Sequence, residues 1–409
     1  MSIERRKPDS EGRKMVKRSL WMMIGQMLVT LALLLHAASA FAQHDAAILR
    51  FGGSAPDQIN EIAVTGDGRL VMAGWTGSSD GTLSDRTKSG QSGWVALVDL
   101  QGNTCWNFCS RYGSDDRMMA PVVHEDGTIT VLLNSNGKRF RQIELIRLDM
   151  DGQVISRRTL VRLEQERSGC APEYPGVFSG GYVIATYDLS SPVAFEPIYR
   201  YSDGVVYQPV YHWFDFDGNP LFSTQTLWQG SIAQVSENHV IEAIDQTYWL
   251  CALDGQGNHT KLVSLYDGLR ANMAYHDLIS LPDGGAAACR SQMIDGQKGS
   301  LIQRWDAQGK TVYEIGMKGY QANHVQRLGD MLIVCGEIGG RNELLVLNAR
   351  GEVLECHEAG EVLQTGRALA VLDDGTVLMA GKVEGEMTDS QFANWDVQIS
   401  VMQIGKEAK

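Results

Sequence analysis

Two turn signals alternate along this 409-residue chain, and each occurs seven times. The first is a tight turn between two apolar runs: Asp67-Gly68, Asp126-Gly127, Gly180-Gly181, Ser236 to His239, Asp283-Gly284, Gly329-Asp330 and Asp374-Gly375. Asp-Gly in that setting marks a hairpin, because both central turn residues need φ > 0. The second signal closes an apolar run with Asp-x-x-Gly: Asp99 to Gly102, Asp149 to Gly152, Asp215 to Gly218, Asp254 to Gly257 and Asp306 to Gly309, with Asn348 to Gly351 and Met402 to Gly405 as variants. The cycle of about 50 residues matches repeats that each supply four strands. A chain of this length would otherwise suggest two or three domains, but radial repetition lets one architecture outgrow a single core.

The pattern predicts an all-β seven-bladed β-propeller over residues 43–409. In the first repeat, strand A falls at 59–64, B at 70–74, C at 94–100 and D at 104–112. Strand B carries a small side chain at one register, five residues after the turn glycine or its equivalent: Ala73, Thr186, Cys289, Cys335 and Ala380, with Leu132 the exception. Small residues there predict close packing between blades, with Cys289 and Cys335 as buried spacers and not nucleophiles. Leu49-Arg50-Phe51-Gly52 resembles the strand-D ending Ser110-Arg111-Tyr112-Gly113, and the seventh repeat holds only strands A to C. The expectation is a 3+1 closure by the N-terminal strand, with residues near 47–51 pairing near 397–403. Closure of that kind removes the exposed edges of an open ring.

Residues 1–42 read as a signal helix or membrane anchor. Arg5, Arg6, Lys7, Arg13, Lys14, Lys17 and Arg18 form a basic segment, and residues 20–42 form an apolar run ending in Ala40-Phe41-Ala42. The small residues at 40 and 42 suit signal peptidase and place cleavage before Gln43. The run is also long enough to span a bilayer if it is not cleaved. The expected location is therefore secreted or extracellular, with any membrane contact made through residues 20–42.

The chain carries a formal net charge of −13, and removing the basic leader leaves about −17. A field of that sign repels polyanions, so nucleic acid is not an expected partner. All seven cysteines follow residue 104, an odd number with no C-x-x-C pair, and the histidines are scattered. No zinc-site spacing results. Asp149-x-Asp151-Gly152 and Asp215-x-Asp217-Gly218 imitate the start of a calcium loop, but the twelfth position holds Leu160 or Thr226 where a bidentate acid is required. No metal or cofactor is expected.

A four-stranded blade puts its A–B and C–D turns on one face and its B–C and D–A connections on the other. The B–C segments 75–93, 187–208, 290–299, 336–342 and 382–394 read as longer loops, where function concentrates on a rigid scaffold. The candidate ligand-binding residues are Trp75, Asp80, Tyr199, Tyr201, Arg290 and Arg341 on that side, with Asp116 and Arg117 at a D–A connection. The aromatic stretch 195–214 could stack on sugar rings or anchor a partner; filling an irregular third blade is the simpler account of it. No G-x-S-x-G, H-E-x-x-H, P-loop or dinucleotide fingerprint occurs, so no catalytic residue is assigned.

The run through Gly52-Gly53-Ser54, Asp67-Gly68, Ala73-Gly74, Trp94-Val95, Asp99, Gly102 and Trp106 resembles the repeat of exported bacterial β-propeller proteins. The likeness covers residues 50–116 well and 270–405 fairly, and fails over 160–260. It implies a propeller placed outside the cell and no activity.

The expected function is a non-enzymatic binding module for an unknown protein or glycan at the cell surface. The alternative is a glycan-active enzyme working from the loop face or the central channel. Two or three ionisable side chains converging from different blades would favour catalysis, whereas a broad loop face without convergence would favour binding.

Overall fold

A computed structural model describes residues 47–81, 91–110, 115–136, 140–164, 176–188, 208–225, 232–244, 247–267, 275–358, 364–384 and 395–404. They form seven four-stranded antiparallel sheets. Blade 1 contains β2 (Asp57–Val64), β3 (Leu70–Thr76), β4 (Ser92–Val98) and β5 (Thr104–Cys109). Blade 2 contains β6 (Asp116–Val123), β7 (Ile129–Asn136), β8 (Phe140–Leu148) and β9 (Val154–Glu164). Blade 3 contains β10 (Gly176–Phe178), β11 (Gly181–Asp188), β12 (Gln208–Asp215) and β13 (Pro220–Gln225). Blade 4 contains β14 (Ile232–Val235), β15 (His239–Ile244), β16 (Thr247–Leu253) and β17 (His259–Asp267). Blade 5 contains β18 (Tyr275–Ser280), β19 (Ala286–Ile294), β20 (Gln297–Trp305) and β21 (Thr311–Lys318). Blade 6 contains β22 (Tyr320–Leu328), β23 (Met331–Ile338), β24 (Arg341–Leu347) and β25 (Val353–Glu358). Blade 7 contains β26 (Gln364–Val371), β27 (Thr376–Glu384), β28 (Trp395–Gln403) and β1 (Ala47–Phe51). In that last sheet, Ala47 lies opposite Val401 and Phe51 opposite Val397.

The repeat becomes a ring through side-chain alternation. Successive residues of a strand point to opposite faces of its sheet, and here both faces of the inner strands are covered. Leu70 and Met72 of β3 pack with Ala368, Leu378 and Val397 of blade 7, whereas Val71 and Ala73 pack with Met118, Val131 and Leu133 of blade 2. Further clusters join blades 2 and 3, 3 and 4, 4 and 5, 5 and 6, and 6 and 7. The seven interfaces return to their start, which defines a seven-bladed propeller. Middle strands read as unbroken apolar runs because each side chain has an interface to enter. Each fully buried Leu, Ile, Val or Met contributes roughly 1.5–3 kcal/mol.

The register of small residues lies at these interfaces. Ala73, Cys289, Cys335 and Ala380 are buried, and Leu132 joins the core in their place in blade 2. Burial pushes the Cys335 thiol up to about 12 and that of Cys289 well above its ordinary range, so neither is a poised nucleophile. Cys105, Cys251 and Cys356 are likewise free thiols; Cys170 lies outside the described residues.

The Asp-x-x-Gly segments are C–D turns. Asp149 Oδ1 accepts the backbone N–H groups of Asp151 and Gln153, and Asp215 Oδ1 those of Asp217 and Asn219. These carboxylates stabilise turns. The B–C connections of blades 5 and 6 depart from expectation. In place of loops over 290–299 and 336–342, β19 and β20 meet at Asp295-Gly296, and β23 and β24 at Gly339-Gly340. All four turn residues have φ between 50° and 82°. They are two-residue hairpins, and cross-strand pairing continues to the turn itself. The Asp-Gly A–B turns are different: only the glycine has φ > 0, and the turn is closed by bonds such as Gly68 N–H to the Thr65 carbonyl and Thr65 N–H to the Arg69 carbonyl, so the aspartate does not need the positive φ expected of it.

Among the described residues, no helix is long and apolar enough to cross a membrane. The signal-helix expectation for 1–42 falls outside the described residues.

Candidate functional site

The first strands of successive blades touch one another and form the inner wall of the ring. These strands share an irregularity. Register shifts occur between Ile59 and Glu61, Met119 and Val122, Ile232 and Gln234, Tyr275 and Asp277, Ala322 and His324, and Gln364 and Ala368. An extra residue leaves the ladder, bends the strand and re-aims its neighbours. The strand-B residue opposite the first residue after the shift is often the small one: Ala73 faces Glu61, Cys289 faces Asp277, Cys335 faces His324 and Ala380 faces Ala368.

The shifts bring polar groups of neighbouring blades together. The Glu61 carboxylate accepts the backbone N–H of Ala120, which has a positive φ of 51°. The Asn60 amide donates to the Met118 carbonyl at 3.1 Å. Between blades 5 and 6, Asp277 Oδ2 accepts the Val325 N–H at 2.9 Å and lies 3.4 Å from His324 Nδ1. Asp277 Oδ1 also accepts the N–H of Leu278. Gln234 donates across to the Tyr275 carbonyl at 3.0 Å. Beside Asp277, burial holds the His276 imidazole below its usual range, and the ring bonds to Ser291 Oγ at 2.6 Å.

Asp277 of blade 5 and His324 of blade 6 meet at 3.4 Å, and the charges of both reach Glu61 of blade 1 through space. Glu61 keeps some contact with solvent, yet protein surrounds it. That desolvation pushes its carboxyl up to about 7; the Ala120 N–H and His324 oppose the rise, and Asp277 adds to it. The bulged Asn323 adds a buried Nδ2 donor with no partner. No cluster of metal-binding geometry occurs among the described residues. Chemically, the set offers two carboxylates, one imidazole and amide donors, with one carboxyl poised to change charge near neutrality.

The residues anticipated from the loops are not gathered into one site. Trp75 is half-buried near the end of β3. Asp80 is exposed and accepts the Ser54 N–H at 2.7 Å, which holds its carboxyl below the usual range. Asp116 is fully buried, with its oxygens accepting from Ser110 Oγ at 2.6 Å and Ser135 Oγ at 2.7 Å. It is an anchor between strands. Asp57 repeats the device in blade 1 with Thr76 and Ser78. Arg117 and Arg341 are exposed in surface ion pairs with Asp115 and Glu358. Arg290 is buried, its Nε donating to Gln303 and its guanidinium lying 5.8 Å from the Tyr275 ring centre. Tyr199 and Tyr201 lie outside the described residues, while Tyr211, Trp213 and Phe214 of the same aromatic stretch are core.

Glu61, Asp277 and His324 sit on strands, not loops, where a residue reads as structural. One signal marks two of them: Glu61 and Asp277 are charged residues in inner strands, each seven positions before a turn glycine, a spacing that His324 does not share.

These features define the class, a seven-bladed β-propeller with a polar inner ring. No family model and no curated protein matches the sequence. Among solved structures, the chain is similar to the β-propeller domain of the Trilobed protease from Pyrococcus furiosus, at 8% identity and TM-score 0.50, over 88% of this chain and 99% of that one. It is also similar to the acylaminoacyl peptidase of Pyrococcus horikoshii, at 8% identity and TM-score 0.49, over 86% of this chain and 52% of that one. The C-terminal WD40 domain of Sif2 gives 9% identity and TM-score 0.47, over 86% and 98%. At such identities the likeness concerns the fold alone.

Proposed function

We propose that this protein is an exported binding module that captures a cationic group, such as a basic side chain of a partner protein, at the inner ring. The observation that carries this reading is the excess of carboxylate on the inner strands, where Asp277 lies 3.4 Å from His324 and the charges of both reach Glu61. Two carboxylates stand against one imidazole, so a cation entering there is favoured by the local charge and by the acidic chain as a whole. A carboxyl pushed up to about 7 marks a charge held where it costs stability, a pattern concentrated at functional sites. Calorimetric titration with Lys- and Arg-containing peptides at pH 8 and pH 6 tests this. Binding is expected at pH 8, weaker at pH 6, and at least tenfold weaker in Glu61→Gln. Equal binding by Glu61→Gln would remove the inner ring from the function.

The same groups, drawn from three blades, favour a second reading, an enzyme acting at the inner strands. A carboxyl titrating near 7 beside a histidine and a second carboxylate is the equipment of general acid–base chemistry. Turnover of a glycan or peptide that disappears in Glu61→Gln would select this reading over binding.

Export and closure belong to the same proposal. N-terminal sequencing of the exported protein should return Gln43 first. The pairing of β1 with β28 supports a role for the N-terminal strand as the clasp of the ring.

A further inference from the structure

The outer edge of blade 2 has no part in the inner ring and differs from the outer edges of the other blades. Its fourth strand, β9, spans 11 residues, and among the described residues no strand is longer. No described strand pairs with its outer edge. Residues Val154 to Thr159 are exposed without a break, whereas no other outer strand shows more than three exposed residues in succession among those described. A run exposed on both faces leaves room for a further strand at the spacing of about 4.8 Å that pairing needs. The outward N–H and C=O groups of such an edge are a template for another chain.

The edge is also marked by charge. Arg157, Arg158 and Arg162 lie on β9, whereas no other fourth strand carries more than one Lys or Arg, in a chain of net charge −13. Arg157 and Arg158 point to opposite faces, and the extra residue at Leu160 puts Arg162 on the face of Arg157. All three are exposed. Contacts within the protein orient each of them: Arg157 lies 3.9 Å from Glu144 Oε2, Arg158 donates to Asn219 Oδ1 at 2.7 Å, and Arg162 stands 4.2 Å from the centre of the Phe140 ring. Guanidinium groups on both faces of one edge suit a partner whose side chains also alternate between both faces, which is what an added strand presents. Opposite charges across such a ladder stabilise it, and like charges oppose it. A second copy of β9 would bring the arginines of both chains to one seam, so this edge turns away its own kind and selects an acidic strand. Val154 and Ile155, 39% and 54% exposed, add apolar surface at one end.

We propose that the outer edge of β9 docks an acidic, extended segment of a partner protein, which joins blade 2 as a fifth, antiparallel strand. Main-chain hydrogen bonds supply the affinity. Acids opposite Arg157, Arg158 and Arg162 and an apolar residue opposite Ile155 supply the selectivity. This surface is separate from the inner ring and does not rest on the capture of a cation there.

Calorimetric titration of the full chain with the peptide Glu-Thr-Val-Thr-Glu-Glu-Thr-Val tests this, because its acids match the spacing of the three arginines read in the opposite direction. The peptide should bind, more weakly as salt is raised, and should slow amide hydrogen exchange within β9. Affinity should fall at least fivefold in Arg158→Gln and in Arg162→Gln with unchanged melting temperatures, and Arg162→Lys should retain part of it. N-methylation of alternate peptide residues keeps the charge, removes the ladder, and should abolish binding. Glu61→Gln should leave the affinity unaltered, which separates this surface from the inner ring. Absence of binding by the parent peptide, unchanged exchange in β9, or binding indifferent to both arginine variants would overturn the proposal. Equal affinity for the N-methylated peptide would overturn it too, in favour of a patch that binds anions of any shape.

Discussion

At the scale of single residues, the contrast between Glu61 and Asp116 is instructive. Both are acids at the inner wall, yet their surroundings give them opposite meanings. Asp116 is fully buried, and two serine hydroxyls donate to its oxygens. Asp116→Ala leaves both hydroxyls without their acceptor and should cost about 2–3 kcal/mol, read from the denaturant midpoint. Glu61 is desolvated with less compensation. Its carboxyl titrates near 4.5 in the unfolded chain and about 7 in the folded one, so the folded state holds the proton more tightly. That contribution favours folding fully below about pH 4.5 and is lost as pH rises through 7. Glu61→Gln cannot ionise. It should exceed the wild type in stability by about 1–3 kcal/mol above pH 7, with the difference vanishing below pH 4.5 in paired melts. A residue that weakens the fold in this way is better placed for function than for structure.

Among the elements, the inner strands are the informative ones. A bulge needs room on the partner strand, and in blades 1, 6 and 7 the partner provides it with a small residue followed by glycine. A Cβ on Gly74 would lie 1.9 Å from the Gln58 carbonyl oxygen, and one on Gly336 would lie 2.5 Å from that of Gln321. The Ala73-Gly74 and Cys335-Gly336 pairs are therefore imprints of the bulge. Gly74→Ala should separate β2 from β3 and cost about 3 kcal/mol or more, as expected for overpacking. Gly66→Ala meets nothing within 4 Å and should change the melting temperature little. If the two variants melt alike, the bulge does not require the glycine.

For the whole molecule, stability depends on the ring returning to itself. Phe51 is 2% exposed and joins the cluster shared by blades 1 and 7, which also holds Trp94 and Val397. Phe51→Ala should cost about 3–5 kcal/mol. Deleting residues 43–51 would leave the outer edge of β28 unpaired, and such an edge recruits another chain. The truncated protein should therefore melt lower and associate with rising concentration in sedimentation; a monomer of unchanged melting temperature would exclude a clasp role for β1.

The two turn series, read from the amino acids alone, gave the number of blades and the order of their strands, because turn chemistry is local: the glycine of each turn takes a positive φ, as at Gly68, Gly102, Gly127 and Gly152, and the aspartate accepts backbone N–H groups of its own turn, as Asp149 does. The apolar runs of β3 and β4 and the small register at Ala73, Cys289, Cys335 and Ala380 were legible for the same reason, since alternation and side-chain volume are properties of a strand by itself. Three things were not legible. The Asp295-Gly296 and Gly339-Gly340 hairpins looked like loops, because only the partner strand shows that pairing continues to the turn. Asp116 and Arg290 looked like ligands, because burial is invisible in a list of polar residues. That the charges of Asp277 and His324 reach Glu61 depends on a ring that brings together strands more than 200 positions apart in the chain. Local chemistry determined the repeat, and only the closed ring decided which of its polar residues share a charge field.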